Sequence, residues 1–522
     1  MTESVSGIAT SPQPERVVPL PPRPRLLGFS ADSYLWARWI FLRALGVIFF
    51  SAFYALAFQI HGLIGERGIL PAHLYLHELS TMYGVLHRLW YAPTLFWISA
   101  SDTSLTIVVW AGLLCSLLLI ANAWPRLSVA LCTLLFLSCI AALQDFSSYQ
   151  SDGMLLEAGL ISIFFAPRGI RPGLGAANPP SRFSLFMLRW EWFRIYFESG
   201  LVKILSGDPH WRNFTAMDDY YQNSPLPSWP GWYIQHLPHW YHAGTVVITF
   251  AVELLIVWLV FLPRKFRVAC FAIVTALQIG IITTSNYGFL NYIVLALGIL
   301  LLDDRALERV RLRTPNVTEQ AVWSIRRRVY RIFERTVLGI LLYATVAAFL
   351  LSGSASILAL PNRMLDPFRV ANAYGLFAVM TPARYEIEFE GSNDGKSWTA
   401  YPFRYKPQDV TTRPGFLGLY QPRFDWNLWF ASLGPWQQSR WVVLAQERLL
   451  EGSPPVLALF KRDPFAGKPP TMIRAIVWQY WFTDLATKRQ TGAWWRRTEI
   501  GSFSGVVTRQ PNGDMLFQPS SG

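Results

Sequence analysis

A chain of 522 residues with 52% hydrophobic and only 15% charged residues is too poor in charge to present a wholly water-solvated surface, since soluble domains carry about 25%. The formal net charge of +13 does not mark a nucleic-acid binder, because the Arg residues crowd into short loops between apolar runs and form no separable basic domain. Cys115, Cys132, Cys139 and Cys270 all lie inside apolar runs and form no Cys-x-x-Cys pair, which argues against thiol redox chemistry and a disulfide framework.

Residues 1–35 are Pro-rich and polar, lack the apolar core and cleavage site of a signal peptide, and read as a disordered cytoplasmic tail. Residues 36–355 read as a transmembrane helical domain. Runs near bilayer-spanning length occupy 36–60, 103–121, 127–143, 183–204, 243–262, 266–285, 287–302 and 336–355. A shorter run at 152–165 reads as a span, a buried helix or a re-entrant segment. If it spans, the basic loops all fall on the cytoplasmic side: Arg126; Arg168, Arg171 and Arg182; Arg264, Lys265 and Arg267; and the stretch from Arg305 to Arg335. The pattern therefore predicts about nine spans, a cytoplasmic N-terminus, outer loops at 61–102 and 205–242, and a C-terminus outside. The 23 Trp fit aromatic belts at the two interfaces.

The run at 183–204 carries Arg189, Glu191, Arg194, Glu198 and Lys203, and Glu157 and Glu253 lie inside other runs. At helical spacing Glu191, Arg194 and Glu198 share one face, so pairing within the helix is expected. An ionisable group at mid-bilayer costs at least ~2.5 kcal/mol, so these side chains must face protein or a polar cavity. The cluster Glu157, Glu191, Arg194, Glu198 and Glu253 is either a paired network that holds the bundle or the lining of a proton path or substrate cavity.

All eight His fall in the two outer loops, and His73/His77 and His236/His239/His242 have helical spacing. No Cys or paired carboxylate completes a metal signature, so interfacial hydrogen bonding is the expected role and neither metal nor cofactor is expected. Trp211, Arg212 and Asn213 open an unusually aromatic stretch that reads as a docking loop or as one lying on lipid headgroups.

Residues 356–522 read as an extracytoplasmic β-rich domain with its sheet core from about 361. Tyr385, Ile387 and Phe389 alternate with Glu386, Glu388 and Glu390 as in a half-buried strand, Asn393-Asp394-Gly395 supplies a turn, and Trp398, Tyr401 and Phe403 continue a hairpin. Arg423, Asp425, Trp426 and Trp429 combine Arg with aromatic rings, the usual makings of a partner-binding surface, and a local structural cluster fits them equally. No nucleophile elbow, phosphate-binding loop or metalloprotease motif is present.

The runs Tyr149-Gln150-Ser151-Asp152-Gly153-Met154-Leu155-Leu156-Glu157, Trp211-Arg212-Asn213, Glu390-Gly391-Ser392-Asn393-Asp394-Gly395, Phe403-Arg404-Tyr405-Lys406-Pro407 and Gln421-Pro422-Arg423 resemble those of the lipase maturation factor family, with Tyr420 where that family has His. The resemblance implies an α-helical polytopic membrane bundle with a C-terminal soluble domain facing the endoplasmic reticulum lumen or the cell exterior. It also implies a role in the folding or assembly of exported, lipase-like client proteins. The Arg-dominated basic content, with seven Lys, and the short loops point to a bacterial member and so to the inner membrane. A weaker likeness to the helical domain of vitamin-K-dependent carboxylases implies the alternative, a membrane-embedded enzyme acting on a lipid or an exported peptide. A transporter would want broken helices and internal repeats, and ranks last.

Overall fold

The computed structural model describes residues 33–147, 149–310, 312, 325–351, 356–510 and 512–518. The expected tail, except for residues 33–35, lies outside these residues, as does much of the Arg-rich stretch after Arg305.

Every apolar run is helical over most of its described residues. In chain order these are α1 (Leu35–Ile64), α2 (Asp102–Ile120), α3 (Pro125–Ala142), α4 (Gln150–Phe165), α5 (Arg182–Leu205), α6 (His239–Phe250), α7 (Arg264–Thr284), α8 (Leu290–Gly298) and α9 (Ile325–Leu350). Six helices among the described residues are long and apolar enough to cross a membrane: α1, α2, α3, α6 with its continuation to Phe261, α7, and the Arg328–Leu350 part of α9. The chain is therefore an integral membrane protein.

The expected count of about nine spans is not reached on these grounds. Helix α4 has 16 residues, and the apolar stretch containing α8 ends at Leu301, so both are shorter than the ~20 residues that cross a bilayer unaided. Helix α5 has the length, at 24 residues, but carries charge at five positions from Arg189 to Lys203. All five of those side chains are buried, so the charged positions of α5 face protein.

Close approaches fix the bundle. A Cβ on Gly112 of α2 would stand 2.3 Å from the Phe53 ring of α1. Helix α6 ends in a π-helical turn, Ala251–Leu255, which carries Glu253. On the side where α1 begins, Asp304 accepts the Leu35 and Trp36 N–H groups at 2.8 and 2.9 Å and so satisfies donors that the first turn of α1 leaves open. Arg264 and Arg267 both pair with the neighbouring Asp303, at 2.5 and 3.1 Å.

The C-terminal residues form a five-stranded antiparallel sheet in the order β2-β1-β3-β4-β5, from β1 (Arg384–Ser392), β2 (Thr399–Ala400), β3 (Met472–Phe482), β4 (Trp495–Arg509) and β5 (Met515–Gln518). The expected hairpin is present, but its second strand is only two residues long. At its turn the Asp394 carboxylate accepts the Lys396 and Ser397 N–H groups, which hold it down at about 2, and Gly395 takes φ +68°.

Strand β1 is not half-buried. Glu386, Glu388 and Glu390 are covered as well as Ile387 and Phe389, because each carboxylate meets a cation brought in from elsewhere. Glu386 pairs with Arg384 and with Lys406 (2.8 Å), Glu388 with Arg497 (3.2 Å) and Glu390 with Arg474 (2.6 Å). Helix α10 (Arg423–Ala431) packs on β1. Helix α11 (Trp441–Leu450) lies over β3 and β4, where Gln446 bonds the Ile473 and Gly505 carbonyls at 3.1 Å each.

Candidate functional site

The buried charges meet at the contact of α4 with α5. Glu157 and Arg194 are both fully buried and form a direct ion pair across the two helices. Arg194 also donates to the Asn372 carbonyl at 2.5 Å, while its i+4 neighbour Glu198 stands farther off at 3.9 Å. The expected pairing within α5 is thus secondary, because the strongest partner of Arg194 lies on another helix.

The remaining bonds come from residues 372–381, which run along the C-terminal half of α5 and just beyond it. The Tyr374 hydroxyl and Asn372 side-chain amide donate to Glu157 at 2.9 and 3.1 Å, and the Tyr374 ring lies 5.0 Å from the Arg194 guanidinium. The Tyr374 N–H donates to Glu198 at 2.8 Å, the Leu376 N–H to Ser199 at 3.3 Å, and the Met380 N–H to Asp208 at 2.6 Å. Gly153 makes the approach possible, since a Cβ there would fall 2.6 Å from the Asn372 side-chain oxygen.

Two candidates behave differently. Glu253 stands apart and binds Lys203 through both oxygens, at 3.0 and 2.8 Å. Glu191 is fully buried near the charges of Glu157 and Arg194, yet no side chain among the described residues hydrogen-bonds either of its carboxylate oxygens, and the Ala158 backbone N–H is the one donor that faces them.

The second centre joins α4 to α10. Arg423 grips Asp152 through both guanidinium nitrogens, at 2.8 and 2.7 Å, and donates to the Phe146 carbonyl at 2.9 Å. The Tyr149 ring lies 5.4 Å from that guanidinium. Asp425 faces inward and accepts the Tyr405 and Lys406 N–H groups at 3.2 Å each. Burial pushes it up to about 6 against the pull of those donors.

Arg423, Asp425, Trp426 and Trp429 are buried, as is Trp211, whose indole donates to the Phe377 carbonyl at 2.9 Å. Arg423, Trp426 and Trp211 join the C-terminal residues to the helical part, through Asp152, through the rings of Tyr149 and Tyr287, and through the Phe377 carbonyl, so none of the five is an exposed surface residue. Of the expected partner-binding residues, Arg212 and Asn213 are exposed.

His239 and His242 share Asp218 at 3.0 and 3.1 Å, and the His236 ring reaches the Trp232 and Thr483 carbonyls at 2.7 and 2.9 Å. Among the described residues no group of three or more His, Cys, Asp or Glu is placed to hold a metal. The arrangement clamps: charge-assisted bonds join segments far apart in the chain, and Glu191 alone among the carboxylates of the α4–α5 cluster has no side-chain hydrogen bond.

Sequence reasoning did not single out Asp152, Asn372 or Tyr374. Asp152 had a signal, as it lies in the Tyr149–Glu157 run, whereas Asn372 and Tyr374 sit in an aperiodic connection.

The profile described as "Lipase maturation factor transmembrane domain" matches residues 36–309, and that described as "Lipase maturation factor C-terminal domain" matches residues 370–505. Lipase maturation factor 2 of Rattus norvegicus is 31% identical over 597 residues, which cover 92% of this chain and 84% of the relative. Lipase maturation factor 1 of Bos taurus is 29% identical, covering 92% of this chain and 90% of the relative. Lipase maturation factor 2 of Homo sapiens is 30% identical, covering 89% and 82%. No solved structure matches the chain.

Proposed function

This chain belongs to the lipase maturation factor family, and on that premise we propose that it is a membrane-embedded maturation factor that assists the folding or assembly of exported, lipase-like proteins. The observation that carries the proposal is similarity at about 30% identity along nearly the whole chain, helices and sheet together. In this reading α4, α5 and α8 complete the membrane unit as buried or partial spans, giving about nine crossings in all. The Arg-dense loops stay in the cytosol, and the unit from 356 to 522 faces outward. The membrane is the inner membrane in a bacterium and the endoplasmic reticulum membrane in a eukaryote.

The exposed Arg212 and Asn213, on the outer loop beside the C-terminal residues, are the proposed client contact. The paired charges of α4 and α5 act as scaffold, because donors on distant segments already occupy Glu157, Glu198 and Glu253. A photo-crosslinker at position 212 in native membranes, followed by identification of trapped species, tests this. Exported enzymes among the adducts are expected, and adducts limited to lipid would end the client reading. Protease added from the outer side should remove the C-terminal unit, and cleavage only from the cytosolic side would reverse the threading.

A further inference from the structure

Between the outer ends of the helices and α10 lies a cavity of about 370 Å³, within the ~300–1,000 Å³ of ordinary small-molecule sites. Its floor is the start of α4 (Tyr149 to Ser151) with Tyr287 and Leu290 at the start of α8, so it stands at the level where helix ends meet the membrane boundary. Its walls are the 375–381 segment and the rings of Trp426, Trp429 and Phe430.

Three features define what it would hold. No Asp, Glu, Lys, Arg or His lines it, which disfavours a charged occupant. Val379, Phe430 and Leu433 line it and are well exposed (67%, 45% and 45%), so it has apolar lining that reaches the surface. Trp426 and Trp429 are 4% and 8% exposed, yet neither indole N–H has an acceptor among the described residues. A buried donor without a partner is destabilising, so a native protein usually leaves one open only where water or a ligand supplies the acceptor.

From the apolar walls, the two open donors and the place at the membrane boundary we infer that this cavity binds a long-chain acyl ester, its chain against Leu290, Leu376 and Met380 and its carbonyl accepting from the Trp426 and Trp429 indoles. Asn223, 3% exposed and also lining the cavity, keeps its side-chain oxygen free for a hydroxyl donor. A phosphatidylcholine from the outer leaflet and a diacylglycerol share the ester chemistry, and of these two only the diacylglycerol adds a hydroxyl. The site does not depend on the maturation role.

The test uses the full chain in phosphatidylcholine vesicles containing either a phosphatidylcholine or a diacylglycerol with a diazirine near the end of one chain. Adducts are mapped after irradiation. They are expected within 375–381 and 426–433, and the lipid that gives them identifies the source. Trp429→Phe keeps a ring but removes one donor and should weaken labelling about 2- to 10-fold, the worth of one neutral hydrogen bond. Val379→Asp sits at an exposed position, leaves the fold alone and should abolish labelling there, while adducts on α7 stay unchanged as the internal standard. Adducts confined to membrane helices from both lipids, or adducts at 375–381 and 426–433 that survive both substitutions, would overturn the assignment.

Discussion

Asp152 and Arg423, 271 residues apart in the chain, form a two-pronged ion pair from which water is excluded. Removing one member leaves the other charged and buried, a loss of ~3–5 kcal/mol in comparable pairs. Asp152→Leu and Arg423→Met should each lower the melting temperature of the detergent-solubilised protein and speed proteolytic release of the C-terminal unit. The double substitution should recover most of the loss. Arg423→Lys should behave almost as badly as Arg423→Met, because an ammonium cannot bond both carboxylate oxygens and the Phe146 carbonyl in the same fork. Additive losses in the double variant would mean that the pair is not what joins α4 to α10.

Glu191 inverts this logic. Its buried oxygens take no hydrogen bond from a side chain among the described residues and face only the Ala158 N–H, too little to offset burial, so Glu191→Leu removes a cost and should raise the melting temperature, whereas Glu157→Leu should lower it by stranding Arg194. If maturation activity falls while stability rises in Glu191→Leu, the unpaired carboxyl serves function at the expense of stability. A lower melting temperature would show that Glu191 has a stabilising partner.

Much of the fold was legible because its signal is local. A long apolar run must close its backbone hydrogen bonds within itself, so each of the nine runs is helical over most of its described residues, and the Asn393-Asp394-Gly395 turn was readable from three adjacent residues. What could not be read was non-local. The alternation in β1 reads as one wet face until Lys406, Arg497 and Arg474 arrive to pair Glu386, Glu388 and Glu390. Arg423 with its Trp neighbours has the composition of a surface that binds a partner, and here the partner is the same chain, so composition alone could not separate the two cases. Asn372 and Tyr374 reach Glu157 from a segment without periodicity, and nothing within that segment announces the contact.

Gly62 shows how tightly the C-terminal unit sits on α1. A Cβ there would lie 2.5 Å from the Pro455 carbonyl oxygen and 2.7 Å from Leu459, and the backbone carbonyl cannot yield as a flexible side chain would. Nearby, Ser453 donates to the Arg67 carbonyl at 2.6 Å and Arg448 to that of Gly68 at 2.9 Å. Gly62→Ala should cost about 1–3 kcal/mol through overpacking and raise the protease sensitivity of residues after 356. Gly84→Ala, where a Cβ meets open space, is the control. Equal sensitivity in the two variants would refute this docking.

Asp425 gives the protein a pH dependence whose sign follows from its place. Burial raises its pKa from 3.8 to about 6, partly offset by the Lys406 and Tyr405 N–H groups and the Lys406 ammonium and reinforced by Glu386. The folded chain therefore holds this proton up to about pH 6, while the unfolded chain releases it near pH 4. Between those values the folded state binds more protons, so this group favours folding fully below pH 4 and its contribution fades as pH rises to 6. At 1.36 kcal/mol per pKa unit the whole effect is about 3 kcal/mol. Asp425→Asn keeps an oxygen for the two N–H donors but cannot titrate. Measured against that variant, the wild-type melting temperature should fall progressively from pH 4 to pH 6 and then run parallel to it. Parallel curves across the whole range would show that Asp425 is already ionised at pH 4, held so by Lys406 in spite of burial.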